Sequence, residues 1–353
     1  KADTRRTLTA QTSVGSSFDE NGAADVIRLG SGSNVVIAGA GADSITINDA
    51  ADSLNVVLGD SGKVVFGTAS NSAHLLQSVE AQAGETTGAA DRISLQSGNA
   101  VLAGGAAGDR ITVSAASSTA ANYRYVSGDH ARFSFDASGG LTDLVTTDTL
   151  DASGGDDNIV IASGLASDIG LNMVVAGMGS DTVLVSAEID AVTGEVRRGS
   201  ATSQDIVLGD NGEIHRTAAD AASGNRNLLL QVKSTVNDKG GNDIIASGDG
   251  GKVLLGGFGA DTVYARDGAH LVLGDNGELN YDSVARNGLL REMVSTDQVI
   301  GGADRILLRD GIKHVIGGIG GDSIDIDATG LPVSADAATV TGLDLAANAA
   351  GSR

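Results

Sequence analysis

Ten aspartates divide this chain into short apolar runs. Asp25, Asp43, Asp91, Asp109, Asp157, Asp181, Asp243, Asp261, Asp304 and Asp322 each have Ile or Val two positions later, and eight of the ten also have Leu, Ile or Val four positions later. An apolar face of period two is the mark of a half-buried strand. Four pairs of these aspartates (Asp25/Asp43, Asp91/Asp109, Asp243/Asp261, Asp304/Asp322) are spaced by 18 residues, and the fifth, Asp157/Asp181, by 24. A turn, a strand, a second turn and a second strand fill such an interval, which is one coil of a parallel β-solenoid.

The stretch from Lys239 to Asp275 is the clearest copy, and the remainder repeats it in weaker form. First aspartates recur 66, 66, 86 and 61 residues apart, a higher-order repeat of three coils plus an insertion. The units span 21–83, 87–151, 154–238, 239–299 and an incomplete 300–328, with an N-terminal arm at 1–20 and a C-terminal arm or tail at 329–353. A third turn closes each full unit: Leu58–Gly62, Ser127–His130, Leu208–Gly212 and Leu273–Gly277. After it, segments such as ARFSFDASGGLTDLVTTD and ELNYDSVARNGLLREMVSTD predict a β-hairpin on one side of the solenoid. A helix over GLLREMV is the alternative, disfavoured because it leaves under three turns.

Glycine precedes most of these aspartates, and only glycine reaches positive φ without a Cβ clash. Such turns direct backbone carbonyls beside the carboxylate. Calcium takes six to eight hard oxygen ligands of these two kinds, at about 2.3–2.6 Å. The run Gly256-Gly257-Phe258-Gly259-Ala260-Asp261-Thr262-Val263-Tyr264 fits the nine-residue pattern G-G-x-G-x-D-x-U-x.

Through that pattern, residues 21 to 327 resemble the RTX (repeats-in-toxin) calcium-binding repeats of secreted bacterial proteins. The resemblance implies an all-β, right-handed parallel β-roll or β-helix, with inserted hairpins, holding Ca2+ between successive turns. It implies ligands at Asp261, Asp43, Asp181, Asp322 and Asp109, in GGFGAD, AGAGAD, AGMGSD, GGIGGD and GGAAGD. Their partners one coil earlier are Asp243, Asp25, Asp157, Asp304 and Asp91, in shorter turns. Ala23 and Ala89 stand where the family prefers glycine. The LGD turns add Asp60, Asp210 and Asp275 to the candidate ligands.

Composition supports a thin solenoid: 353 residues hold 51 glycines, one proline, no cysteine, no tryptophan and 3% aromatic residues. The net charge of −22 argues against nucleic acid, whose binding depends on clustered basic residues. No apolar run of about 18 residues predicts a membrane span, and Lys1–Gln11 has no h-region of a signal peptide. Lack of cysteine fits, without requiring, a secreted protein.

Other chemistry is weakly signalled. Gly59-Asp60-Ser61-Gly62 looks like a serine-protease nucleophile loop, but the matching turns at Asp210 and Asp275 carry Asn after the aspartate. The Gly-x-Gly runs lack a complete dinucleotide fingerprint, and no metallopeptidase or hydrolase motif is present. Five dispersed histidines share no ligand spacing, and His130 reads as an exposed turn residue. The expected role is non-enzymatic: an extracellular, calcium-stabilised segment of a bacterial surface adhesin, matrix fibre or surface layer, with a surface glycan or matrix component as a partner. A calcium-triggered folding and export module of a toxin or hydrolase is the alternative, and a polysaccharide-cleaving β-helix the third reading. With no capping helix at either end, head-to-tail association or continuation in a longer chain is expected, from about fourteen coils forming a rod of about 65–70 Å.

Overall fold

A computed structural model of the protein describes residues 13–16, 22–48, 53–67, 75–82, 88–114, 122–162, 170–189, 196–197, 203–218, 227–282, 288–297 and 299–326. The parts of the N-terminal arm at 1–12 and 17–21, and the C-terminal arm from 327 on, lie outside the described residues.

After β1 (Ser13–Gly15) the chain alternates between two parallel sheets, each passage through both making one rung. β2 (Val26–Leu29) with β3 (Asn34–Ile37) is the first rung, and β4 (Ser44–Ile47) with β5 (Leu54–Leu58) the second. The chain then leaves as a hairpin, β6 (Gly62–Phe66) and β7 (Leu76–Ala81). The second unit repeats this with β8 (Arg92–Leu95), β9 (Asn99–Ala103), β10 (Arg110–Val113), β11 (Tyr123–Ser127), and the hairpin β12 (Ala131–Phe135) and β13 (Leu141–Thr146). In the third come β14 (Asn158–Ala162), β15 (Leu171–Gly177), β16 (Thr182–Ile189), a short β17 (Val196–Arg197) paired to β16, and β18 (Gln204–Asp210). Its hairpin is β19 (Gly212–Arg216) and β20 (Leu229–Ser234). The fourth holds β21 (Ile244–Ser247), β22 (Lys252–Gly257), β23 (Thr262–Ala265) and β24 (His270–Asp275), then the hairpin β25 (Gly277–Tyr281) and β26 (Leu290–Ser295). β27 (Arg305–Leu308), β28 (Lys313–Ile316) and β29 (Ser323–Asp325) begin a fifth.

Three sheets result. Ten strands form the ladder sheet in the order β2-β4-β8-β10-β14-β16-β21-β23-β27-β29, all parallel, with β17 added at β16. Nine form the middle sheet, β3-β5-β9-β11-β15-β18-β22-β24-β28, also parallel. The hairpins do not stand apart as decorations. With β1 they join edge to edge into a nine-stranded antiparallel sheet, β1-β6-β7-β12-β13-β19-β20-β25-β26.

Alternation along each middle strand makes two cores from one sheet. Val57, Leu102, Val126, Val174, Val207, Leu254 and Val272 point toward Ile45, Ile93, Ile111, Ile159, Val183, Ile245 and Val263 of the ladder sheet. The intervening residues Leu58, Val101, Tyr125, Met173, Val175 and Leu273 meet Val64, Val79, Phe133, Leu144, Ile214, Val232 and Leu279 of the hairpin sheet. Rows of middle-sized aliphatic residues suffice because each layer is one side chain deep, which explains the low aromatic content.

Two sequence expectations change. Each unit holds two rungs plus a hairpin, because the LGD turn leads out of the middle sheet into the hairpin rather than into a third coil. The described residues therefore hold nine complete rungs and the ladder strand of a tenth, a stack of about 43 Å at the usual strand spacing. GLLREMV is extended, as the hairpin reading has it: β26 covers Leu290–Ser295 and pairs with β25.

Candidate metal centre

Every one of the ten aspartates singled out by spacing enters a single hydrogen-bonded row. Each backbone N–H donates to Oδ1 of the aspartate on the next ladder strand: Asp25 to Asp43 at 2.6 Å, Asp43 to Asp91 at 2.7 Å, Asp91 to Asp109 and Asp109 to Asp157 at 2.6 Å. The row continues from Asp157 to Asp181 at 2.7 Å, then through Asp243 and Asp261 at 2.8 Å each, to Asp304 at 2.9 Å and Asp322 at 3.1 Å. The coil-length change at Asp157/Asp181 leaves the row unbroken because the added residues lie between strands.

One oxygen of each carboxylate is thus used by the backbone, and the other is not. Oδ2 of Asp43, Asp91, Asp109, Asp157, Asp181, Asp243, Asp261 and Asp304 is buried with no hydrogen-bond partner. These eight residues are 1–3% exposed. Orphaned buried carboxylate oxygens are costly, and eight in one row call for a counter-ion or a proton.

Glycine makes room for them. A Cβ on Gly128 would fall 1.7 Å from Asp157 Oδ2 and 2.4 Å from the Ala176 carbonyl oxygen; on Gly274 it would fall 2.0 Å from Asp304 Oδ2 and 2.4 Å from that of Gly317. Six of the orphaned oxygens, those of Asp91, Asp109, Asp157, Asp243, Asp261 and Asp304, therefore lie over glycines at the ends of the middle strands, beside backbone carbonyls.

Burial raises these carboxyls and the neighbouring charges raise them further. Loss of hydration brings Asp91 and Asp243 up to about 8, Asp304 to about 7 and Asp261 to about 9. Asp109, Asp157 and Asp181 are held well above the usual carboxylate range by burial first and by neighbouring aspartates second. The donated N–H bonds pull the other way without offsetting it.

A second row runs along the same edge. Oδ2 of Asp60 accepts the N–H of Ala106 at 2.7 Å and that of Asp129 accepts Met178 at 2.5 Å, while Asp210 and Asp275 accept Phe258 and Ile319. Oδ1 of Asp129, Asp210 and Asp275 takes a further N–H, from Gly155, Gly241 and Gly302. These carboxylates fill backbone nests of the glycine turns. Asp129 belongs with them, although the SGDH turn gave it no place among the candidate ligands.

His130 is not an exposed turn residue. It is fully buried, with Nδ1 3.0 Å from Asp148 Oδ1 and its N–H donating to Asp148 Oδ2. Ser61 is also buried, in a turn.

At the far end of the same core a third polar row crosses the middle sheet. Asn34, Asn55, Ala100, Arg124, Asn172, Asp205, Lys252, His270 and Lys313 are successive register partners. Asp205 anchors it, accepting from Lys252 Nζ at 2.5 Å, Asn172 at 2.7 Å, Ser186 at 2.9 Å and Ser247 at 3.1 Å.

Among the described residues no three His, Cys, Asp or Glu side chains converge on one point. An ion at the ladder would therefore be held by carboxylate Oδ2 atoms and the glycine-turn carbonyls, an all-oxygen set that suits calcium and not zinc. No family model matches the chain, and no curated protein or solved structure matches it either.

Proposed function

We propose that this chain is an extracellular, calcium-stabilised structural protein, a right-handed β-solenoid that serves as a segment of a bacterial surface adhesin, fibre or surface layer. The observation that carries this reading is the unbroken aspartate row with eight buried, partnerless Oδ2 atoms. Eight desolvated carboxylates stacked one rung apart cannot all be ionised without cations beside them. Asp25, Asp43, Asp91, Asp109, Asp157, Asp181, Asp243, Asp261, Asp304 and Asp322 supply the carboxylate oxygens, and the glycine turns supply carbonyls. Bound calcium would neutralise the row and tie successive rungs, so the extracellular ion would act as a folding ligand.

Repetition favours a structural role. The same carboxylate geometry recurs at every rung, whereas an active site needs one asymmetric cleft. Open sheet edges at both ends of the described array support head-to-tail association. Urea unfolding in calcium and in chelator tests the proposal: calcium raises the midpoint if the row holds the ion, and superimposed curves would remove calcium from the account.

A further inference from the structure

The outer face of the ladder sheet is charged opposite to the chain as a whole. Along each ladder strand the second and fourth residues after the aspartate enter the core, so the first and third face outward. On β2, β4, β8, β10 and β14 these outward positions hold no Asp or Glu and three arginines, Arg28, Arg92 and Arg110. The whole chain has 45 Asp and Glu against 23 Lys and Arg. A basic face on a chain of net charge −22 is a local inversion.

Register sets the pattern of this face. Ser44, Arg92, Arg110 and Asn158 are successive partners across β4, β8, β10 and β14. In the next outward row Arg28, Thr46, Ser94 and Thr112 are successive partners across β2, β4, β8 and β10. Arg28 and Arg92 are exposed, and Arg110 and the four hydroxyl residues are half-buried. Arg92 and Arg110 rise from strands about 4.8 Å apart, a like-charge pair that costs stability unless an anion lies between them. Among the described residues no ion pair and no side-chain hydrogen bond reaches any of the three arginines.

Farther along the sheet the same face changes character. Leu184, Ala246, Tyr264 and Leu307, the third residues after their aspartates on β16, β21, β23 and β27, are apolar or aromatic and buried. The open basic area therefore runs over the five strands from β2 to β14, about 19 Å at the usual spacing. That is long enough for several linked sugars.

We propose that this face binds a linear anionic polysaccharide whose sugars carry carboxylates, a polyuronate. Arg92 and Arg110 hold a uronate carboxylate between them, because a planar guanidinium fork matches its two oxygens. Ser44, Thr46, Ser94 and Thr112 offer hydroxyls at strand intervals to the hydroxyls of the sugar, and Arg28 meets a second carboxylate nearer the N-terminal end. Nucleic acid is the less suitable polyanion, since no aromatic side chain faces outward from these five strands to stack on a base. The negative charge of the remaining surface repels a polyanion, which confines binding to this patch and makes it sensitive to salt. The inference rests on the reading of the chain as an extracellular surface protein in naming a glycan, and it uses neither the aspartate row nor calcium.

Calorimetric titration with oligogalacturonides tests it, with neutral dextran oligosaccharides and polyuridylate as comparisons. Each titration is run in calcium and in chelator, with circular dichroism reporting the fold. The oligogalacturonide binds and the neutral sugar does not. Arg92→Gln with Arg110→Gln lowers the affinity by about tenfold or more, the loss of a charge-assisted bidentate contact. Lys63→Gln with Arg132→Gln makes the same change of charge at exposed positions of the hairpin sheet and leaves the affinity unchanged. No binding by the folded chain, equal effects of the two double variants, or tighter binding of polyuridylate each overturns the proposal. Where the chelated chain is unfolded the calcium arm decides, since binding bridged by calcium would be insensitive to both double variants. Binding that persists in chelator supports the basic face even where calcium leaves the unfolding curve unchanged, so the two readings fail separately.

Discussion

The backbone N–H of Asp243 donates to Oδ1 of Asp261 at 2.8 Å, and Oδ2 of Asp261 has no partner. One carboxylate thus does two separable things: it caps a neighbouring strand and holds a buried oxygen that needs a proton or a cation. Asp261→Ala loses both, stranding the Asp243 N–H at a cost of about 1–3 kcal/mol. Asp261→Asn keeps an acceptor and removes the group that must be neutralised. In chelator at neutral pH the Asn variant is at least as stable as the parent and the Ala variant is less stable, as read from urea midpoints. Equal losses in the two variants would mean that the N–H contact contributes nothing.

Protons should substitute for calcium. Asp91, Asp243, Asp261 and Asp304 titrate at about 8, 8, 9 and 7 in the folded chain, against 3.8 when free of the fold. The native state therefore holds more protons than the unfolded state between those limits, so stability falls with rising pH. In chelator the urea midpoint is highest below about pH 4 and declines through the folded values. Calcium should flatten the decline, and its benefit should grow with pH. A chelated protein that gains stability from pH 5 to 8 would contradict the row of raised carboxyls.

Ala107 has φ of 69°, at the turn position where Gly41, Gly179, Gly259 and Gly320 have φ of 110° to 127°. A Cβ is strained in this region, so Ala107→Gly should stabilise the protein by about 1 kcal/mol. Gly259→Ala should do the reverse and more strongly, since its Cβ would fall 1.9 Å from the Gly241 carbonyl oxygen. Thermal melts of the two variants check both signs.

Lys252 and Asp205 form an ion pair with both side chains 0% exposed. Asp205→Ala leaves a buried ammonium and should cost about 3–5 kcal/mol, whereas the double change Asp205→Asn with Lys252→Met should recover most of it. A double variant no better than Asp205→Ala would place the loss in the hydrogen bonds to Asn172, Ser186 and Ser247.

The ladder sheet was legible because its signal is local: an aspartate, then Ile or Val at +2, read the same way ten times. The hairpins were legible from their turns and flanking apolar runs. The number of coils was not, because the turn at Gly274-Asp275 resembles the turn at Gly259-Ala260-Asp261 in sequence and differs only in where the chain goes next. His130 and Lys252 were misjudged or passed over for a related reason. Polar residues in turns and at strand starts ordinarily face water, and here their partners Asp148 and Asp205 are 18 and 47 residues away. The second row was hidden because its donors, such as Ala106 for Asp60, come 46 residues later.

Calcium binding by the aspartate row is the central claim, and calorimetric titration of the chelated chain with calcium at neutral pH tests it most directly. The account predicts several bound ions per chain, proton release on binding as the raised carboxyls ionise, and fewer ions in the Asp261→Asn variant. No heat of binding and no proton release, from a chain folded in chelator, would show that the row is neutralised by protons alone.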